Sequence, residues 1–411
     1  MENSNEQPTG VQPEAPMQQN QNPVVSMPPT PETVPVPVKK SSSKMWLVVI
    51  IVVLVLGAGA AVFYFATQKA TPTQQTPTKY KVGLLLPFSG DSNSAGFSAL
   101  HAVQLAQKQL NATNIEFVQA DSKCDPTAAP SAMQSLADQK VVAVIGESCS
   151  GASLKALPIA NKYKIPMVSP SATSPDLSIP NDYFFRVVPP DGFQGTATAL
   201  TMYSKGIRKV AFLYSDEAYG NGLTQVFKTE FTKLGGTIVA DESVDQNAID
   251  MNAQAKAIAA SHPDAVYVVQ VNNAPSVAAL KQLHAAGVTA TVYGSDALYS
   301  QDIVNDAQDA AEGLIVTSFP AGTKDFKQAF ANANQTTDNY AAAQAYDAFW
   351  AIYLALQKGA TTGEAIKNQF ATLSFQGVSG HIQFDKNGEI SDPSYKYDLL
   401  EVKNGQFTAV E

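Results

Sequence analysis

With 411 residues, 45% of them hydrophobic and 15% charged, the chain is long enough for an anchor plus a two-lobed body and has the composition of a globular protein. Four acidic and four basic side chains cancel within residues 1–78, so the formal net charge of −9 belongs to the remainder and argues against nucleic acid as a partner. No repeat of 20–50 residues is present.

Residues 1–44 are expected to form a disordered cytoplasmic tail. Positions 1–38 are rich in Pro, Gln and Asn, lack aromatic residues and show no periodicity that could bury a core. Lys39, Lys40 and Lys44 then precede an uncharged run at 45–66, which as a helix spans about 33 Å and crosses a bilayer. Lysines on the amino side predict a single-pass anchor in the cell membrane, amino terminus inside and body outside. A cleaved signal peptide is the competing reading, since 57–61 reads Gly-Ala-Gly-Ala-Ala, but the preceding region is long for one. Neither cysteine stands at the end of the run to take a lipid, so the helix itself is the expected tether. Residues 67–78 are a polar, Pro-containing linker.

From residue 79 the chain alternates strands and helices. KVGLLLP at 81–87 is a continuous apolar run, as a strand covered on both faces requires, and a helix with Leu100, Val103, Ala106 and Leu110 on one side follows. Next come IEFVQAD, a helix opened by Asp125 as cap with Pro126 at its first position, VVAVIG, a helix to Tyr163, and PMVSP. After a break at 186–192 the pattern resumes: KVAFLYS, a helix at 221–234, TIVADESV, a helix near 250–260, AVYVVQV, a helix near 275–286, and TVYGSD. A long helix is expected near 338–358. Repeated βα units imply a doubly wound parallel sheet with helices on both faces, here in two lobes.

The two cysteines, Cys124 and Cys149, each follow directly on a predicted strand and are expected at one sheet edge, on neighbouring strands. A bond between them is compatible with that placement and is worth roughly 3.5 kcal/mol on the chain-entropy model. Two free buried thiols remain the alternative. Hydroxyl residues cluster in the same stretch: Ser148, Ser150 and Ser153 after one strand, Ser169, Ser171, Thr173 and Ser174 after the next. Ser150 is expected to cap the helix through Leu157, so its hydroxyl and the free N–H groups behind it converge on a spot suited to a carboxylate.

Three motifs, D-x-x-C-D-P at 121–126, I-G-x-x-C-S at 145–150 and P-S-A-T-S-P-D-L at 170–177, give the chain a resemblance to the type I periplasmic binding proteins of the Leu/Ile/Val type. The resemblance covers about residues 79–411. It implies a Cys124–Cys149 disulfide, and two lobes between which the chain crosses three times. The expected crossings put 79–189 and 320–376 in lobe 1, and 190–319 and 377–411 in lobe 2.

Ligands of such sheets sit beyond the carboxyl ends of the strands, in the cleft between facing lobes. The turns expected to line it are 89–96, 149–153, 171–174, 215–220, 270–273 and 294–298. The resemblance implies that Ser150 and Thr173 hold an α-carboxylate, that the Ser171 carbonyl, the Tyr219 hydroxyl and the Asp296 carboxylate surround an ammonium, and that Ala172 belongs to the same ligand site. Physics supports this, because a desolvated zwitterion needs fixed donors at one end and an acidic partner at the other. An isolated Asp after a strand is ordinarily a turn residue. The side-chain pocket departs from the family: Ala95 replaces an aromatic, 270–272 offers amides, and Tyr340 matches an aromatic wall unless it and Tyr346 are simply core residues. The ligand is therefore expected to be larger or more polar than leucine.

GESCS at 146–150 imitates the G-x-S-x-G nucleophile elbow, but its fifth residue is Ser150, and no histidine (101, 262, 284, 381) lies in a turn that returns to it. No catalytic site is expected. Zinc, EF-hand, P-loop and dinucleotide patterns are absent, so no metal or cofactor is implied. The expected function is capture of an amino acid or relative and delivery to an ABC permease. The alternative is a ligand-sensing receptor body signalling to a membrane partner; a receptor ordinarily carries its signalling module on the same chain, which favours transport.

Overall fold

The first strand, β1 (Tyr80–Leu86), sets the pattern of the body: Val82, Leu84 and Leu86 enter one apolar core while Leu85 enters another, so both faces of the sheet are covered. The computed structural model describes residues 79–334, 340–390, 392 and 395–410. The tail, the run at 45–66 and the linker lie outside the described residues. Among those described, no helix is long and apolar enough to cross a membrane.

The chain continues through α1 (Asn93–Gln109), β2 (Ile115–Asp121), α2 (Ala129–Asp138), β3 (Ala143–Gly146), α3 (Ser150–Tyr163), β4 (Met167–Ser169) and β5 (Phe184–Arg186). These strands form a parallel sheet in the order β2-β1-β3-β4-β5. Then α4 (Asp191–Ser204), β6 (Lys209–Ser215), α5 (Ala218–Lys233), β7 (Thr237–Val244), α6 (Asn252–Ala260), β8 (Ala265–Val269), α7 (Asn273–Ala285), β9 (Thr291–Gly294), α8 (Gln301–Ala307) and β10 (Ile315–Ser318) build a second layer structure. Helices α9 (Lys324–Asn334), α10 (Ala342–Gln357) and α11 (Gly363–Phe370) follow, with the hairpin β11 (Ser374–Gln376) and β12 (His381–Gln383). The antiparallel strands β13 (Asp398–Lys403) and β14 (Gln406–Ala409) complete the second sheet, order β14-β13-β10-β9-β8-β6-β7.

Each sheet is a filling between two helix layers. In β8, Val266 and Val268 meet one core, with Leu280 and Leu283 of α7, while Tyr267 and Val269 meet the other, with Phe227 and Phe231 of α5. Helix α10 carries alanines at 342, 343, 345, 348, 351 and 355, all buried, so its backbone packs closely into the first core.

The chain passes to the second sheet after β5 and returns after β10, but the third crossing expected near 376–380 is not there. Gly377 N–H bonds to the Gly380 carbonyl at 2.8 Å inside the β11–β12 hairpin, so this Gly-rich segment is a tight turn. Ile382, Phe384 and Ile390 pack in the first core, and Glu389 bridges to Arg186 beside β5. The expected lobe boundary at 376/377 is therefore corrected to the stretch between Ile390 and β13.

Cys124 and Cys149 form a disulfide with Cα atoms 5.5 Å apart. They do not follow neighbouring strands as expected, because β1 lies between β2 and β3. Left-handed backbone at Lys123 (φ 57°) and Cys124 (φ 56°) turns the first loop across the gap. The same turn delays α2, which begins at Ala129: Asp125 caps nothing in that helix and instead accepts from Thr127 N–H and its hydroxyl, both at 2.7 Å.

Candidate functional site

In both sheets the strand order reverses at one place, β1/β3 in the first and β6/β8 in the second, and the turns leaving those carboxyl ends face one cleft. The cleft encloses about 610 Å³ of empty space, its open mouth included. Its entrance turn is possible because Gly146 has φ 117° and a Cβ there would stand 2.0 Å from the Leu85 carbonyl oxygen.

Five of the seven expected ligand residues, Ser150, Ser171, Tyr219, Asp296 and Tyr340, line this cleft together. Ser150 is not the cap of α3 but its first residue; Cys149 holds the cap position without a side-chain bond. Its hydroxyl oxygen accepts the N–H groups of Thr173 (3.2 Å) and Ser174 (3.1 Å), tying two turns together. Ser171 donates its hydroxyl to the Ser148 carbonyl at 2.9 Å. Ala172 and Thr173 lie fully buried behind this wall. Thr173 Oγ1 has no hydrogen-bond partner and sits beside Asp191 outside bonding geometry.

Opposite, Asp296 is 1% exposed and accepts from the hydroxyls of Tyr219 at 2.6 Å and Tyr340 at 3.0 Å. Burial pushes its carboxyl above the usual range, against the hydrogen bonds of Tyr219, Gln194 and Tyr340. Among the described residues it forms no ion pair. Tyr346, paired with Tyr340 in the sequence reading, is a core residue: it packs on Phe326 and Trp350 and donates to Gln109 at 2.8 Å.

Two acidic residues went unread in the sequence. Asp191, at the start of α4, is fully buried with neither oxygen bonded, and burial followed by the charge of Asp296 pushes it well above the ordinary carboxylate range. Its signal was the D of PPDG within the predicted lobe break at 186–192. Glu147, also fully buried, joins the two disulfide loops: Oε1 accepts from Ser122 Oγ at 2.7 Å and Oε2 from Cys149 N–H at 2.5 Å. Its carbonyl accepts the hydroxyls of Ser169 (2.5 Å) and Ser153 (3.2 Å). Burial raises its carboxyl to about 7. Arg186, buried and paired with Glu389, donates to the carbonyls of Ala172 and Ser174 and so stiffens the same turn.

The two sheets also touch directly across the cleft. Asp91 Oδ2 accepts from Ala274 N–H at 2.6 Å, at the amino end of α7, and Ser92 donates to Asn272 Oδ1 at 2.9 Å.

Two doubly wound lobes thus flank a cleft that holds a buried carboxylate on one side and a hydroxyl-rich turn on the other. The chain belongs to the periplasmic binding protein family, whose model matches residues 79–406. A leucine-, isoleucine-, valine-, threonine- and alanine-binding protein of Pseudomonas aeruginosa is 26% identical over 313 residues, covering 74% of this chain and 83% of the relative. The crystal structure of a leucine binding protein, LivK, from Thermotoga maritima superposes with a TM-score of 0.74 at 26% identity, over 81% of this chain and 98% of that one. The substrate binding protein LivJ of Streptococcus pneumoniae, in complex with isoleucine, gives 0.73 at 26% identity, over 81% and 98%.

Proposed function

We propose that the protein is an extracytoplasmic solute-binding protein that captures an amino acid, or a close relative, by closing its lobes around it and hands it to an ABC permease. The observation that carries this reading is Asp296, a carboxylate 1% exposed that accepts from the Tyr219 and Tyr340 hydroxyls and forms no ion pair among the described residues, across the cleft from Ser150 and Ser171. A ligand ammonium, with the Ser171 carbonyl beside it, supplies the missing charge, and the α3 amino end with Ser150 receives its carboxylate. Because the two ends touch different lobes, only the closed state satisfies both, and ligand preference for that state drives closure. Relatives named for branched-chain amino acid binding support the same ligand class.

Calorimetry with α-amino acids and with the same acids lacking the amino group tests this. Asp296→Ala weakens amino acid binding by about 2–5 kcal/mol, since it strands a buried ammonium, and Asp296→Asn keeps the shape while removing the charge. Unchanged affinity in both variants, or a best ligand without a cationic group, refutes the assignment.

We further propose that the uncharged run at 45–66, after Lys39, Lys40 and Lys44, anchors the body outside the membrane. Extraction by alkaline carbonate together with a mature amino terminus beyond residue 60 refutes the anchor.

A further inference from the structure

The wall of the cleft that remains, once Asp296 with its two tyrosines and the Ser150–Ser171 turn are assigned to the two ends of a zwitterion, is where side-chain identity is read. Its apolar part is the larger one and comes from Ala95, Val271, Ala297 and the ring of Tyr299, with Pro87 beside them. The rest is polar and uncharged, Ser92 and Ser94 from the first lobe and Asn273 and Ser300 from the second.

These groups are unevenly used. Ser92 is committed to Asn272, whereas Asn273 Nδ2 reaches Ser94 Oγ only at 3.5 Å. Ser300 is 7% exposed, stands at the cap position before α8 without making the capping bond, and its buried hydroxyl has no partner. A buried hydroxyl left unpaired is unfavourable, and a polar ligand group restores its hydrogen bond where a methyl group does not. Charged ligand side chains are disfavoured for a different reason: apart from the weakly acidic tyrosines, Asp296 is the one ionisable side chain among the lining residues, and it is already assigned to the ammonium.

We infer that the ligand is an α-amino acid with a short, uncharged side chain ending in a hydroxyl or carboxamide, read by Ser94, Asn273 and Ser300. This rests on the zwitterion site proposed above. The direct contacts Ser92–Asn272 and Asp91–Ala274 limit the length of that side chain, because a longer one has to break them for the lobes to close to this extent.

Threonine against valine, and asparagine against leucine, are the decisive pairs, being close in shape and opposite in polarity. With the full-length protein in detergent, titration calorimetry is expected to rank threonine over valine and asparagine over leucine by about tenfold or more, and to show aspartate and lysine bound more weakly than either polar ligand. Ser300→Ala and Asn273→Leu, checked for intact folding by circular dichroism, are expected to narrow the threonine-to-valine ratio. Valine or leucine binding as tightly as its polar counterpart overturns this inference alone and leaves the zwitterion site standing. Equal binding of an acid with and without its amino group overturns the zwitterion site, and the side-chain reading with it.

Discussion

Replacing Glu147 by Gln isolates what one buried carboxyl does to the hydroxyl-rich half of the cleft. In the fold the group titrates at about 7 because it is fully buried, against 4.5 for the free side chain. Since the folded value is the higher one, the native state holds the proton more tightly. The stabilisation is complete below about pH 4.5 and is lost as pH rises through 7. At about 1.4 kcal/mol per pH unit the loss is about 3 kcal/mol. In the structure Oε1 accepts from Ser122 Oγ and Oε2 from Cys149 N–H; once the acid is protonated Oε1 takes the donor role and the Ser122 hydroxyl turns to accept, an arrangement the amide of Gln keeps at every pH. Glu147→Gln is therefore expected to match the wild type near pH 4.5 and to exceed it by up to about 3 kcal/mol at pH 8. Urea denaturation followed by tryptophan fluorescence, run on both proteins from pH 4.5 to 8.5, measures the difference. Other buried carboxyls with raised values, such as Asp347 at about 6, slope the same way and cancel in the subtraction. A difference that does not change with pH refutes the reasoning.

Removing the Cys124–Cys149 bond, by reduction or by the double alanine variant, is expected to cost roughly 3.5 kcal/mol, read as a lower urea midpoint; an unchanged midpoint contradicts it. Arg186→Met leaves Glu389 buried without its partner and is expected to cost about 3–5 kcal/mol in the same assay, most of it recovered by the additional change Glu389→Leu. Asp91→Ala removes a bond that exists only between the lobes, so ligand affinity is expected to fall by about 0.5–2 kcal/mol and X-ray scattering of the unliganded variant to show a larger radius of gyration. Equal affinity and equal radius show that Asp91 does not hold the lobes together.

Much of the architecture was legible because buried parallel strands announce themselves as short apolar runs: four of the five strands of the first sheet lie where KVGLLLP, IEFVQAD, VVAVIG and PMVSP place them, while the three-residue β5 went unread. Side-chain chemistry at turns was legible less often. Ser150 reads as a helix cap by residue type, yet its oxygen is taken by Thr173 and Ser174, which are remote in sequence. Asp125-Pro126 reads as a helix start, yet the left-handed turn at Lys123 and Cys124 forces the chain through a further bend first. Gly377 to Gly380 reads as a linker because a glycine-rich hairpin turn and a crossing have the same local composition; only the packing of Ile382, Phe384 and Ile390 distinguishes them. Asp191 and Glu147 were missed because their importance lies in burial, which no local pattern at either position indicates.

The bonds from Thr173 and Ser174 to Ser150, with Ser171 to Ser148 and Arg186 to the carbonyls behind, link the first lobe's turns to one another rather than to the second lobe. The kinetic consequence is an order of events. An incoming solute meets a half-site already set, so encounter needs little rearrangement and its rate varies little among solutes that share the same charged ends. Discrimination is then deferred to the clamping step and to the lifetime of the clamped complex. Stopped-flow traces are expected to show a fast phase linear in solute concentration followed by a saturating one, with solutes differing mainly in how slowly they leave.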